Sequence, residues 1–156
     1  MLFFALLSEI PFNLAITGKV IDLNYQNVFF ELTIGLGAMC YLELAEKKTK
    51  RYIWQVILRL FIIAAFATAA EHLNFDYGMY GIISIIALYV FRQNKVSQLM
   101  VGAISFLWEQ AASLAFVPIA FYNGKRGRKI KYAFYIFYPA HLLLLYVVAR
   151  VIGCQY

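Results

Sequence analysis

Four ionisable side chains lie inside apolar stretches of this sequence and are the first candidates for chemistry: Glu9, Arg59, Glu109 and His141. An ionisable group within a bilayer is energetically costly, and it is therefore typical of a functional site. Histidine is the usual general base of enzymes that work at neutral pH, so His141 is a candidate for that role. A structural role stays open, because a buried histidine can simply hydrogen-bond to a neighbouring helix.

The depths of these groups suggest a shared site. Counted inward from the predicted helix ends at 1.5 Å per residue, Glu9 lies about 12 Å deep, Arg59 about 10 Å and His141 about 14 Å. Glu109 would lie near about 18 Å. An isolated charge at the bilayer centre costs ~2.5–3.5 kcal/mol, and pairing with an opposite charge lowers this cost. We therefore predict that Arg59 pairs with Glu9 or Glu109 and that His141 opens onto the same cavity. The alternative is that the coincidence comes from the chosen helix ends.

Composition indicates the class of protein that holds these groups. The chain is 63% hydrophobic and 14% charged, which is more apolar surface than a soluble domain of this size can bury. We predict an all-α fold, a polytopic integral membrane helix bundle of one domain with about 6–7 membrane segments. The predicted segments are 1–18, 28–45, 52–70, 78–91, 96–122 and 132–152.

The segment 96–122 has two interpretations. As one helix it would be about 40 Å long and would have to tilt or kink at Pro118. As a hairpin that turns near Trp108, it would have two legs of about 18 Å, each too short to cross the bilayer. The positive-inside rule favours the hairpin, because the hairpin places all the basic loops on the cytoplasmic side.

The net charge of +6 indicates anionic lipid headgroups as partners. The basic residues flank apolar spans, so the lipid bilayer explains them and we expect no nucleic acid partner. His72 and Asp76 lie four residues apart, but their stretch offers too few ligands for a metal, and we expect none. Asp76 is instead predicted to cap the helix that begins at Gly78.

Several motifs, in order along nearly the whole chain, carry a resemblance to a known family. They are SEIPFNLA at 8–15, YQNVFFEL at 25–32, AEHLNFDYGMYGI at 70–82, and YNGKRG and FYPAHLLLLY within 122–146. These motifs resemble the TraX family, polytopic bacterial membrane proteins linked to conjugation, whose name-giving member acetylates the N-terminal amine of the conjugative pilin. Family members usually begin with further helices, so we expect this chain to be an N-terminally shortened member.

The resemblance implies a multi-pass protein of the bacterial cytoplasmic (inner) membrane that transfers an acetyl group from acetyl-CoA to the N-terminal amine of a pilin or similar protein. Such a reaction needs a base for the amine proton and a cradle for the CoA phosphates. His141 is the candidate base, with Glu9 and Arg59 as further catalytic candidates. The candidates for CoA binding are Asn123, Lys125 and Arg126, and the remaining candidates are His72, Asp76 and Glu109.

Two other functions remain open at this point. The chain could be a non-enzymatic membrane subunit, such as a small permease or assembly factor, in which the ionisable groups form a proton or solute path or only join helices. It could also be an inactive, truncated relative. The basic loop at 124–131 would then serve as a topology signal rather than a CoA site.

Overall fold

The computed structural model describes residues 1–125, 127 and 130–153, with the backbone alone at 110 and 131. This part of the chain is all-α, which confirms the predicted fold class. The helices are α1 Leu2–Thr17, α2 Val28–Lys48, α3 Tyr52–His72, α4 Gly78–Val90, α5 Lys95–Ser105, α6 Gln110–Leu114, α7 Phe116–Ala120 and α8 Lys131–Ile152.

Three of these helices are long and apolar enough to cross a membrane: α2, α3 and the segment Tyr132–Ile152 of α8. Helices α1 and α4 are apolar but have only 16 and 13 residues, fewer than the ~20 that a perpendicular span requires. The structure therefore supports a membrane protein, and it supports the expected 6–7 membrane segments only in part.

Helices α2, α3 and α4 form the centre of the bundle, and α5 packs on α4 while α8 packs on α1. Many buried side chains of the centre are aliphatic or small, and they include Ala38, Leu42, Ile62, Ile82 and Ile86. Small side chains let helices approach closely where the surrounding lipid gives no hydrophobic driving force for association. The helices therefore pack closely at the centre, and their outward faces remain apolar.

The loop before α2 and the loop before α4 are hydrogen-bonded to each other. The N–H of Gln26 donates to the carbonyl of Asn74 at 2.9 Å, and the N–H of Asp76 donates to the carbonyl of Gln26 at 3.0 Å. The loop can turn out of α1 because Gly18 adopts a φ of 69°, which side chains rarely tolerate. These contacts place the starts of α2 and α4 side by side.

The segment from Lys95 to Tyr122 is a hairpin in the structure. Helix α5 packs against both α6 and α7, and the Ser113 hydroxyl donates to the carbonyl of Ala103 at 2.9 Å. The two ends of the hairpin meet at its open end, opposite the tip, where the Lys95 ammonium donates to the carbonyl of Tyr122 at 2.7 Å. At the tip, Trp108 packs against Tyr77, with 5.5 Å between the ring centroids.

The predicted pairing of Arg59 with Glu9 or Glu109 is wrong. Arg59 forms an ion pair with Glu46, with 2.9 Å between Nη2 and Oε1. Glu46 lies near the end of α2, whereas Glu9 contacts Asn27 at its beginning. About 19 helical residues separate these two contacts, or roughly 28 Å at 1.5 Å per residue, so Arg59 and Glu9 lie at opposite ends of the bundle.

Gly81 provides a test of the close packing between α2 and α4. A methyl group at Gly81 would overlap Oε1 of Glu31, so we expect Gly81→Ala to lower the free energy of unfolding by about 1–3 kcal/mol. Gly37→Ala is the matched control, because its added methyl would lie 3.5 Å from Phe66, an ordinary contact. Denaturant unfolding in detergent would measure both. Equal effects of the two substitutions would contradict this account.

Candidate functional site

A group of polar side chains lies where α2 and α4 begin, beside α1 and α8. Most of its members are buried or half-buried, and we call the group the polar cluster. It comprises Glu9 and Asn13 of α1, Asn27 and Glu31 at the start of α2, Asp76 before α4 and Tyr138 of α8. Helix beginnings carry free N–H groups and a partial positive charge, so they suit carboxylates and polar caps.

Asn27 is the central member of the polar cluster, and its side chain is completely buried. Its Oδ1 accepts the N–H of Phe29 at 3.0 Å, which caps α2. Its Nδ2 donates to the carbonyl of Ala5 at 2.8 Å and to Oε2 of Glu9. A single amide therefore caps one helix and fixes the position of a second helix against it.

Glu31 is buried to the same degree, with 1% of its surface exposed. Its Oε2 accepts the N–H of Tyr77 at 3.2 Å, and the partial positive charge at the start of α4 favours a carboxylate there. Its Oε1 faces Gly81 of α4 and has no hydrogen-bond partner within the described residues.

Other acceptors of the polar cluster are also incompletely satisfied. Within the described chain, Oε1 of Glu9 and Oδ1 of Asn13 are buried and lack a hydrogen-bond partner. The ion pairs among the described residues are Lys19–Asp22 and Arg59–Glu46, neither of which reaches the polar cluster. Because buried acceptors are normally hydrogen-bonded, these oxygens can take a further donor.

Asp76 extends the polar cluster towards the tip of the hairpin. Asp76 is exposed overall, but partial desolvation of its carboxyl raises the pKa above its usual value, and the nearby carboxylate of Glu109 raises it further. The predicted capping role of Asp76 is wrong: Tyr77 holds the N-cap position of α4. The free N–H of Met79 instead donates to Oε2 of Glu71 at 3.2 Å, since Glu71 reaches it from the end of α3.

Helix α8 borders the polar cluster through Tyr138 and His141. The Tyr138 ring packs edge-on against Phe29 at 4.9 Å, and its phenol lies within electrostatic reach of Glu9 and Asp76. His141 packs edge-on against Tyr138 at 5.6 Å, and its Nδ1 lies 3.1 Å from the carbonyl of Phe137. A carbonyl only accepts, so in the neutral ring Nδ1 carries the proton and Nε2 is the basic atom.

The candidate CoA-binding residues lie elsewhere. Asn123 Oδ1 accepts the N–H of Lys125 at 3.0 Å, and the Tyr122 hydroxyl donates to the carbonyl of Lys125 at 2.6 Å. These bonds form a tight turn through Gly124, whose φ is 74°, and they leave Lys125 exposed. Arg126 lies outside the described residues.

The structure thus brings together part of the set that the sequence suggested. Glu9, Asp76, Glu109 and His141 belong to or border the polar cluster. Arg59 lies at the far end of α2, and His72 is exposed at the end of α3. Sequence reasoning missed Asn27, Glu31 and Tyr138 as site residues, although Asn27 before an apolar helix and Glu31 in its first turn form a recognisable helix-start pattern.

The fold and the polar cluster define a helical membrane protein with a buried polar site. The model of the family described as "TraX protein" matches residues 1–149. The chain therefore belongs to the TraX family, and it is a conjugation-related membrane protein. No curated protein and no solved structure gives a significant match to it.

Asn27 provides a test of the polar cluster as a structural unit. We expect Asn27→Ala to lower the free energy of unfolding by about 2–4 kcal/mol, because it removes a cap and the buried amide that donates to Ala5 and Glu9. The matched control is Asn94→Ala, which removes an exposed cap of α5 alone and should lower it by about 1 kcal/mol. Equal losses in denaturant unfolding would contradict the role assigned to Asn27.

Asp76 provides a test by pH. Its raised pKa means that the folded state favours the neutral carboxyl, so its contribution to stability is present at low pH and is lost as pH rises towards the folded pKa. Asp76→Asn should therefore raise the Tm relative to wild type at neutral pH and have less effect in acid, near about pH 4.

Asp22 gives the opposite sign and serves as the control for Asp76. The backbone N–H of Asn24 lowers the pKa of the Asp22 carboxyl, so its stabilisation is present at neutral pH and is lost as pH falls. Asp22→Asn should lower the Tm at neutral pH and have less effect in acid. The same pH trend for both variants would refute these assignments.

Proposed function

We propose that this protein is an acyltransferase of the bacterial cytoplasmic membrane, which it crosses several times, and that it transfers an acetyl group from acetyl-CoA to the N-terminal amine of a pilin or a similar protein. The single observation that supports this best is the set of buried carboxylate oxygens of Glu9 and Glu31 that lack a donor within the described residues. An amine acceptor supplies such donors.

The chemistry begins with the acceptor as an ammonium ion, whose N–H groups donate to the free oxygen of Glu9, because Glu9 is only half-buried. The ammonium must lose a proton before it can attack, because only the neutral amine has a free electron pair. Nε2 of His141 accepts that proton. The amine nitrogen then forms a bond to the acetyl carbon and the carbon–sulfur bond breaks. The nitrogen loses its second proton to give the neutral amide, and the CoA thiolate takes up that proton.

Acetyl-CoA, the acetyl donor, has a separate contact site in this proposal. The turn at Asn123 and Lys125 presents backbone N–H groups and one exposed ammonium, which suit the phosphates of CoA. Helix α4 separates the level of this turn from the level of the polar cluster, about 20 Å for 13 residues. CoA carries its phosphates and its thioester at opposite ends, so two separated sites fit one donor.

Acetyl transfer can be tested with the full chain in lipid nanodiscs, isotope-labelled acetyl-CoA and a peptide with a free N-terminal amine. We expect label on the N-terminal amine and none on a peptide whose amine is blocked. His141→Asn should lower the rate by about 10²–10⁴-fold, as for loss of a general base. His72→Asn is the matched control, because His72 is exposed and lies outside the polar cluster, and it should leave the rate unchanged.

Two further variants distinguish the binding of acetyl-CoA from the binding of the acceptor peptide. Glu9→Gln should raise the KM for the peptide, whereas Lys125→Gln should raise the KM for acetyl-CoA, and more so at low salt because the contact is exposed. An absence of transfer by the folded wild-type protein would contradict the enzyme proposal and favour a non-enzymatic membrane subunit or an inactive relative.

A further inference from the structure

An open cavity lies between the hairpin and α4 and takes no part in the polar cluster. Its volume is about 430 Å³, within the range of about 300–1,000 Å³ typical of ligand sites. Its wall is almost entirely apolar, and its lining residues are Leu88, Gln98, Leu99, Phe106, Ala112, Ala115, Phe116 and Ile119. Gln98 is the polar member, and its Nε2 already donates to the carbonyl of Leu88 at 3.1 Å. The cavity therefore suits a hydrocarbon chain.

A second cavity adjoins the first one. It measures about 490 Å³ and shares Gln98, Leu99 and Ile119 with the first, but its other lining residues are polar or basic, among them Lys95 and Asn123. The two cavities together form one amphipathic space, apolar towards the tip of the hairpin and basic at its open end. Such a space complements a molecule with a hydrocarbon tail and an anionic head.

Lys95 provides the charge at the open end. One N–H of its ammonium donates to the carbonyl of Tyr122 at 2.7 Å, and the group has two further donors. Helix α5, which begins at Lys95, has 11 residues and is therefore about 16 Å long, close to half of a ~30 Å hydrocarbon core. The depth of the cavity thus corresponds to one leaflet.

We propose that the hairpin binds one anionic phospholipid, with an acyl chain in the apolar cavity and the phosphate headgroup at Lys95. Basic pockets between membrane helices are known to hold anionic headgroups. The pantetheine arm of CoA fits the apolar cavity poorly, because its amides would be buried without partners. The apolar cavity is therefore separate from the proposed CoA site, whereas the headgroup cavity shares Asn123 with that turn.

Native mass spectrometry of the full chain in detergent tests this proposal. The probes are phosphatidylglycerol and phosphatidylcholine with identical acyl chains. We expect the wild-type protein to retain phosphatidylglycerol more strongly. Lys95→Gln should reduce that preference about fivefold, the contribution of one basic residue. Lys47→Gln, at an exposed position of α2 outside the hairpin, is the matched control and should leave the preference unchanged.

The apolar cavity has its own matched pair of variants on α6. Ala112→Phe would fill the cavity, whereas Ala111→Phe places the same ring on an exposed position outside it. Ala112→Phe should reduce retention of phosphatidylglycerol at least tenfold, and Ala111→Phe should leave it unchanged. Equal retention of both lipids by the wild-type protein, or full retention by a folded Ala112→Phe variant, would overturn the proposal.

Photo-crosslinking of the wild-type protein keeps the proposal testable if a variant fails to fold. A phosphatidylglycerol with a diazirine at the end of one acyl chain should label peptides within 98–119 more strongly than peptides from α3. Addition of acetyl-CoA should not displace the label. Uniform labelling of all lipid-facing helices, or displacement by oleoyl-CoA but not by excess phosphatidylglycerol, would contradict a phospholipid site.

Discussion

The hydrogen bonds of the buried Asn27 amide are the constraint on which the rest of this structure depends. They cap α2 and connect it to Ala5 and Glu9 of α1, although α1 and α8 otherwise pack mainly on each other. Once α2 begins at this level, Glu31 lies one turn further along and meets the first N–H groups of α4. One amide thus determines where three helices start relative to one another, and with them the polar cluster.

Carboxylates are tolerated in this apolar bundle because helix beginnings surround them. The N–H groups and partial positive charges at the starts of α2 and α4 partly compensate the lost hydration of Glu31. The compensation is incomplete, since one oxygen of Glu9 and one of Glu31 have no donor among the described residues. A fold selected only for stability would replace such groups by apolar side chains. The amine of the proposed acceptor would supply the donor that these carboxylates lack.

The sequence predicts the helices far better than it predicts their relative positions. Hydropathy and basic loops predict α2, α3 and α8 to within about three residues, because the lipid core penalises every exposed polar group. The expected pairing of Arg59 failed because it assumed that all helix ends are level. The loop 18–27 returns along α1, so α2 begins beside Ala5, and the nearby Glu46 then becomes the partner of Arg59. Such offsets come from loop hydrogen bonds that hydropathy does not encode.

The tip of the hairpin physically connects the two sites. Phe106 lines the apolar cavity and stacks with Trp108 at 6.1 Å, and Trp108 in turn packs on Tyr77 at 5.5 Å. The N–H of Tyr77 donates to Glu31, so an unbroken chain of contacts runs from the cavity wall to the polar cluster. A hydrocarbon chain in the cavity would support the rings from behind and keep water from that side of the carboxylates. Because electrostatic interactions strengthen as water is excluded, a lipid in the hairpin would also strengthen the hold of the polar cluster on an amine.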